Sequence, residues 1–155
     1  MFDRLNLPPY EIKLRRMPDG QVQVYDPQRC KWLVLTPEEW VRQHFVHYLV
    51  EFLGYPQSMV ANEVGLTLNG TRRRCDTVVY SRDLRPVCIV EYKRTDVEIT
   101  SRVFDQIARY NSVAGAHYLM VSNGLRHFCC RFDGDGYSFL KGLPSYDELC
   151  SKTLG

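Results

Sequence analysis

The chain has 155 residues, 45% of them hydrophobic and 25% charged, with a formal net charge of +2. That length and composition suit one domain able to bury its own core and exclude a disordered chain. No apolar run approaches 18 residues and the first 20 residues are too charged for a signal peptide, so no membrane partner and a cytoplasmic protein are expected.

In chain order, residues 8–16 and 21–25 read as two strands joined through Pro18-Asp19-Gly20, a hairpin signal. Thr36-Pro37-Glu38-Glu39 then opens a helix: Thr36 can cap, Pro37 suits the first turn, and Glu39 completes a capping box. Trp40, Phe45, Tyr48, Leu49 and Phe52 recur at helical spacing until Gly54. His44 and His47 on this helix are expected at its surface or beside its cap rather than as ligands. A strand over 62–68, the turn Asn69-Gly70 and a strand over 71–80 form a second hairpin. Residues 87–93 follow as a third strand with an apolar, centrally buried first half. A helix over about 100–113, a strand over 117–122, a hairpin over 126–140 around Asp133-Gly134-Asp135-Gly136, and a short helix from Ser145 complete the pattern.

The order helix, three-strand meander, helix, strand predicts an α/β fold on a mixed sheet, preceded by a β-hairpin. Residues 1–35 would be the leading extension, 36–125 the core and 126–155 the closing hairpin and helix of one domain. No internal repeat or low-complexity segment occurs. The six cysteines include no CxxC pair, so free, mostly buried thiols are expected rather than zinc ligands or disulfides.

Charge is uneven. Residues 71–110 carry nine Lys/Arg and six Asp/Glu, a local +3, while the remainder is −1. A positive segment is compatible with a phosphate-bearing partner, with Arg72, Arg73, Arg74, Arg94, Arg102 and Arg109 as candidate phosphate contacts.

The residues that point to chemistry lie in the same segment. Asp76 stands late in one strand of the meander, Glu91 and Lys93 late in the next. Strand alternation puts Glu91 and Lys93 on one face, and adjacent strands would put Asp76 beside Glu91. Two neighbouring carboxylates repel unless a proton or cation lies between them. Oxygen ligands without thiolate or imidazole suit Mg²⁺ or Mn²⁺, which can lower the pKa of a bound water beside a phosphate. Glu39 or Glu63 can supply an additional ligand, and Gln106 and Tyr110, four apart on the following helix, can hydrogen-bond the site. A second Glu-x-Lys, Glu11-Ile12-Lys13, has no such surroundings and reads as a surface strand.

With these motifs in place, the sequence resembles the PD-(D/E)XK nuclease superfamily, and within it the N-terminal domain of type I restriction enzyme R subunits. The resemblance rests on Leu35–Phe45, Arg74-Cys75-Asp76, Val90-Glu91-Tyr92-Lys93, Asp105–Asn111 with its Gln-x-x-x-Tyr, and Val121–Gly124. It implies a restriction-endonuclease-like core and a Mg²⁺- or Mn²⁺-dependent DNA endonuclease. Asp76, Glu91 and the Tyr92 carbonyl would be metal ligands, Lys93 the catalytic lysine, Gln106 and Tyr110 a supporting pair, and Glu39 or Glu63 the accessory acid. It also implies DNA and restriction-complex subunits as partners, with a homodimer as an alternative assembly. Cys75 stands where the superfamily has proline. No GxxxxGK[ST] occurs, so neither ATP binding nor motor activity is expected of the chain. The alternative is an inactive nucleic-acid-binding or assembly module of the same fold.

Overall fold

The computed structural model describes residues 2–68, 70–134 and 136–151. Among these residues nine strands form a three-stranded and a six-stranded sheet, accompanied by three α-helices. The small antiparallel sheet comprises β1 (Leu14–Arg16), β2 (Val22–Asp26) and β3 (Lys31–Val34). Helix α1 (Pro37–Phe52) leads into β4 (Val60–Leu68), β5 (Thr71–Tyr80) and β6 (Pro86–Tyr92). Helix α2 (Ser101–Asn111) crosses over to β7 (Tyr118–Ser122), and β8 (His127–Asp133), β9 (Gly136–Phe139) and α3 (Tyr146–Ser151) follow. The strands of the large sheet stand in chain order from β4 to β9, and only β6 and β7 pair in parallel, as a helical crossover requires.

The elements expected from the sequence are present, with local differences. The first strand is only three residues long because Pro8-Pro9 cannot complete a ladder and Tyr10 instead stacks on His47 of α1, ring centroids 3.9 Å apart. A third strand, Lys31–Val34, converts the expected N-terminal hairpin into a sheet. Only half of the capping box forms: Thr36 Oγ1 accepts from the Glu39 N–H at 3.0 Å, while the Glu39 carboxylate is engaged by Arg29 and Gln43. His44 is buried, not at the surface, with Nδ1 2.8 Å from the Trp40 carbonyl. Gly70 adopts φ +76°, the left-handed geometry its tight turn needs; Asn69 and Asp135, the other expected turn residues, lie outside the described residues. The six cysteines are free thiols.

Each face of the large sheet carries its own core. On one, Val41, Phe45 and Leu49 of α1 meet Val79, Val90, Tyr92 and Met120. On the other, Phe104 and Ala108 of α2 meet Cys75, Val78, Ile89 and Leu119. The small sheet is tied to the α1 side by Asp26, which is fully buried at the end of β2. Asp26 accepts from Arg29 Nε, from the Gln28 N–H at 2.8 Å and from Asn62 Nδ2 at 3.3 Å. Thr77 donates to Asn62 Oδ1 at 2.7 Å and in turn accepts from the Tyr92 hydroxyl at 2.9 Å, so one buried chain of hydrogen bonds joins β2, β4, β5 and β6.

Burial alone would raise the Asp26 pKa, but the hydrogen bonds from Arg29 and Gln28 outweigh it and hold the carboxyl below its ordinary value. The ionised form thus contributes stability that is present above the ordinary carboxylate pKa near 4 and is lost as pH falls through the lower folded value. We expect Asp26→Asn to lower stability at pH 7 and to flatten the acid limb below about pH 4. Urea titrations at successive pH values check this; an acid limb as steep as that of the wild type would contradict it.

Candidate active site

A break in the side-chain pattern of two strands creates the site. Along β5, Arg73 and Cys75 face α2, but so does Val78, while Arg74, Thr77 and Val79 face α1. Strict alternation would separate odd from even positions, so the phase slips by one residue at Asp76. The neighbouring strand slips at the opposite place: Asn62 faces α1, whereas Val64 and Leu66 pack on the α2 side. Between them Glu63 adopts φ +56°, an uncommon conformation for a residue with a side chain. The pairs Asn62↔Thr77 and Val64↔Cys75 bracket it, so Glu63 stands opposite Asp76 in register.

The same point is where β6 leaves β5. Their ladder runs from Tyr80 to Thr77↔Val90, and the next position sets Asp76 against Glu91. There the Tyr92 N–H donates to the Asp76 side chain, to Oδ2 at 2.9 Å. Asp76 and Glu91 thus meet at the mouth of two diverging strands. Burial and, next, the Asp76 charge and side chain raise the Glu91 pKa well above the ordinary carboxylate range; Lys93 and Asn111 oppose them. Lys93 is placed by its own N–H, which donates to the Ser122 carbonyl of β7 at 2.9 Å. The structure therefore brings Asp76, Glu91 and Lys93 together.

It adds Asn111, which the sequence reading did not select. Asn111 is 1% exposed, closes the buried stripe Phe104, Ala108, Asn111 on α2, and stands beside Glu91. Its Nδ2 donates to the Ile107 carbonyl, while its Oδ1 is buried with no hydrogen-bond partner among the described residues. A lone amide at position i+7 of an otherwise apolar helical stripe was the available signal. Gln106 and Tyr110 lie elsewhere on that helix. Gln106 is exposed, and the 43%-exposed Tyr110 ring carries the Arg73 guanidinium 4.2 Å from its centroid.

Glu39 and Glu63 do not join the pair; arginines hold them on the α1 side. Arg29 reaches Glu39 at 2.9 Å, and Arg42 lies between Glu39 (3.7 Å) and Glu63 (2.7 Å). Arg74 binds the other Glu63 oxygen at 2.8 Å. Burial would raise the Glu63 pKa, but the Arg42 and Arg74 hydrogen bonds prevail and lower it. Among the described residues, no group of three or more His, Cys, Asp or Glu side chains is arranged to hold a metal. Of the other candidate phosphate contacts, Arg94 is paired with Asp96 at 3.2 Å and Arg109 with Asp105 at 3.0 Å, whereas Arg72 and Arg102 are exposed.

Removing Glu63 should therefore cost stability. Its loss leaves Arg42, whose side chain is 7% exposed, with only the more distant Glu39, and we expect Glu63→Ala to destabilise by roughly 3 kcal/mol. Arg74→Ala, at a side chain 72% exposed, is expected to cost less than about 1 kcal/mol. Chemical denaturation of the two variants measures the contrast, and equal losses would refute it.

Comparison with known proteins agrees with the sequence resemblance. No curated protein matches the chain. In fold, the chain is similar to the fragment structure of a putative HsdR subunit of a type I restriction enzyme from Vibrio vulnificus YJ016. The match has a TM-score of 0.60 at 19% identity and covers 78% of this chain but only 26% of that one. The chain thus spans about a quarter of that fragment. The model of the type I restriction enzyme R protein N terminus (HSDR_N) matches residues 37–144, from the start of α1 to just before α3. The chain therefore belongs to the type I restriction enzyme R protein N-terminus family, and its fold is consistent with the PD-(D/E)XK nuclease superfamily.

Proposed function

We propose that this chain is a nuclease domain that hydrolyses DNA phosphodiesters with Mg²⁺ or Mn²⁺, and that it works with restriction-complex subunits of the kind its family name implies. The observation that carries the reading is the opposition of Asp76 and Glu91 across diverging strands, with Lys93 beside them. The donor chemistry suits a hard divalent cation: two carboxylates side by side, the Tyr92 carbonyl between Glu91 and Lys93, and the partnerless Asn111 oxygen close by. When bound, such an ion polarises a phosphate and favours ionisation of a coordinated water.

The chain's own residues do the remainder. Asp76 is oriented by the Tyr92 N–H, which engages one of its two carboxylate oxygens. Lys93, anchored through its main chain to β7, can donate to the attacking water or to a phosphate oxygen as negative charge develops. Asn111 stands beside Glu91. Arg72, Arg73 and Arg102 are the arginines of the basic segment best placed to take phosphate, since Arg74, Arg94 and Arg109 already hold carboxylates. Tyr110, under the Arg73 guanidinium, would orient that contact rather than the metal.

Two measurements test the proposal. Lys93→Ala should reduce Mn²⁺-dependent plasmid cleavage at least about 100-fold with its thermal midpoint unchanged. Cleavage that persists in EDTA or in this variant would refute hydrolysis at this site, and DNA binding with no cleavage under any divalent metal would select the binding-module alternative. Independently, Mn²⁺ should raise the thermal midpoint of the wild type but not of Glu91→Gln, because only a ligand bound to the folded state shifts the unfolding equilibrium.

A further inference from the structure

Residues 14–34 precede the family-matched stretch, and their sheet presents an outer face that the nuclease reading does not use. Val24 and Asp26 are fully buried on its inner face. Alternation therefore turns Gln23 and Tyr25 outward, along with their register partners Arg15, Val34 and Trp32. The Tyr25 and Trp32 rings stand edge to face with centroids 5.5 Å apart. Both rings are covered by cations: the Arg15 guanidinium lies 4.3 Å over Trp32, and the Lys13 ammonium 5.5 Å over Tyr25.

The charge on this face is uncompensated. Arg15 Nε donates to the Gln23 amide oxygen at 2.8 Å and not to a carboxylate. Among the described residues, no ion pair engages Lys13 or Arg15, both of which are exposed. In the basic segment near Glu91, by contrast, Arg74, Arg94 and Arg109 are paired with acids. Two rings overlaid only by long, exposed cations suit a ligand with both a flat π face and a negative charge. An incoming base can displace the guanidinium or ammonium from the ring and stack in its place, and the displaced cation then meets the adjoining phosphate. Duplex bases keep their faces stacked on one another, and an acidic peptide would use the cations without the rings.

We propose that the outer face of the β1–β2–β3 sheet is a platform for single-stranded nucleic acid. Bases stack on Trp32 and Tyr25 while Lys13 and Arg15 contact phosphates. The inference is independent of catalysis at Asp76 and Glu91. Its test is fluorescence anisotropy of a labelled oligo(dT) of about 15 nucleotides with the full chain in EDTA, where no metal-dependent cleavage occurs. Trp32→Ala and Tyr25→Ala should each weaken binding about tenfold, and Arg15→Glu should weaken it and reduce its salt dependence. If the aromatic variants fail to fold, Arg15→Glu, at an exposed position, decides the matter alone. No binding by the wild type, variants within about twofold of it, or equal competition by duplex DNA or by polyglutamate would overturn the proposal.

Discussion

Arg42 is the buried charge around which this domain is arranged. It projects from α1 toward β4, with Glu39 on its own helix and Glu63 across from it, and its guanidinium lies 5.7 Å from the Tyr92 ring centroid. Its Nε and Nη1 have no hydrogen-bond partner among the described residues, so the cation depends on the two acids for compensation. The acids extend the contact outward. Glu39 passes it through Arg29 to Asp26, and Glu63 to Arg74 at the start of the projecting hairpin. One line of alternating charge thus runs from the small sheet, past α1, to the strand that bears Asp76. This explains why Glu63 tolerates a left-handed backbone: the conformation delivers its carboxylate to two arginines.

The same line accounts for what sequence reasoning could and could not see. Asp76, Glu91 and Lys93 were legible because strand alternation and a short meander determine their relation almost without tertiary information. The Thr36 cap, the helix it starts and the Gly70 turn were legible for similar local reasons. Glu39 and Glu63 were not, because an acid's role depends on which arginine reaches it, and Arg42 and Arg74 reach theirs from other elements. Glu63 also lies where the strand changes phase, which a regular period of two cannot reveal. The strand Lys31–Val34 is too short to show a period, and the residue before it, Cys30, takes the left-handed turn conformation (φ 51°) normally signalled by glycine or asparagine. Tyr110 shares a helix face with Gln106, as a spacing of four predicts, but that face adjoins Arg73, and Asn111 occupies the inward position.

The distribution of partnered and unpartnered arginines also changes what the charge excess of residues 71–110 means. A count of nine bases against six acids suggests a broad positive field. Pairing confines it, since several of those arginines are neutralised by adjacent acids and their field falls off over a Debye length of about 8 Å in physiological salt. What remains lies on the projecting hairpin, at Arg72 and Arg73, and at Arg102 at the start of α2.

The hairpin extends beyond its sheet. From Thr71 to Cys75, β5 pairs with β4 alone, because the ladder to β6 begins only at Thr77. Such a ribbon presents main-chain donors and acceptors that a second chain could extend into a larger sheet. Arg72 and Arg74 occupy this stretch with exposed side chains, and two like-charged ribbons repel before their backbones can meet. The arginines at the ribbon thus also act as gatekeepers against edge-to-edge aggregation, which makes their replacement by neutral residues a matter of solubility as well as of phosphate contact.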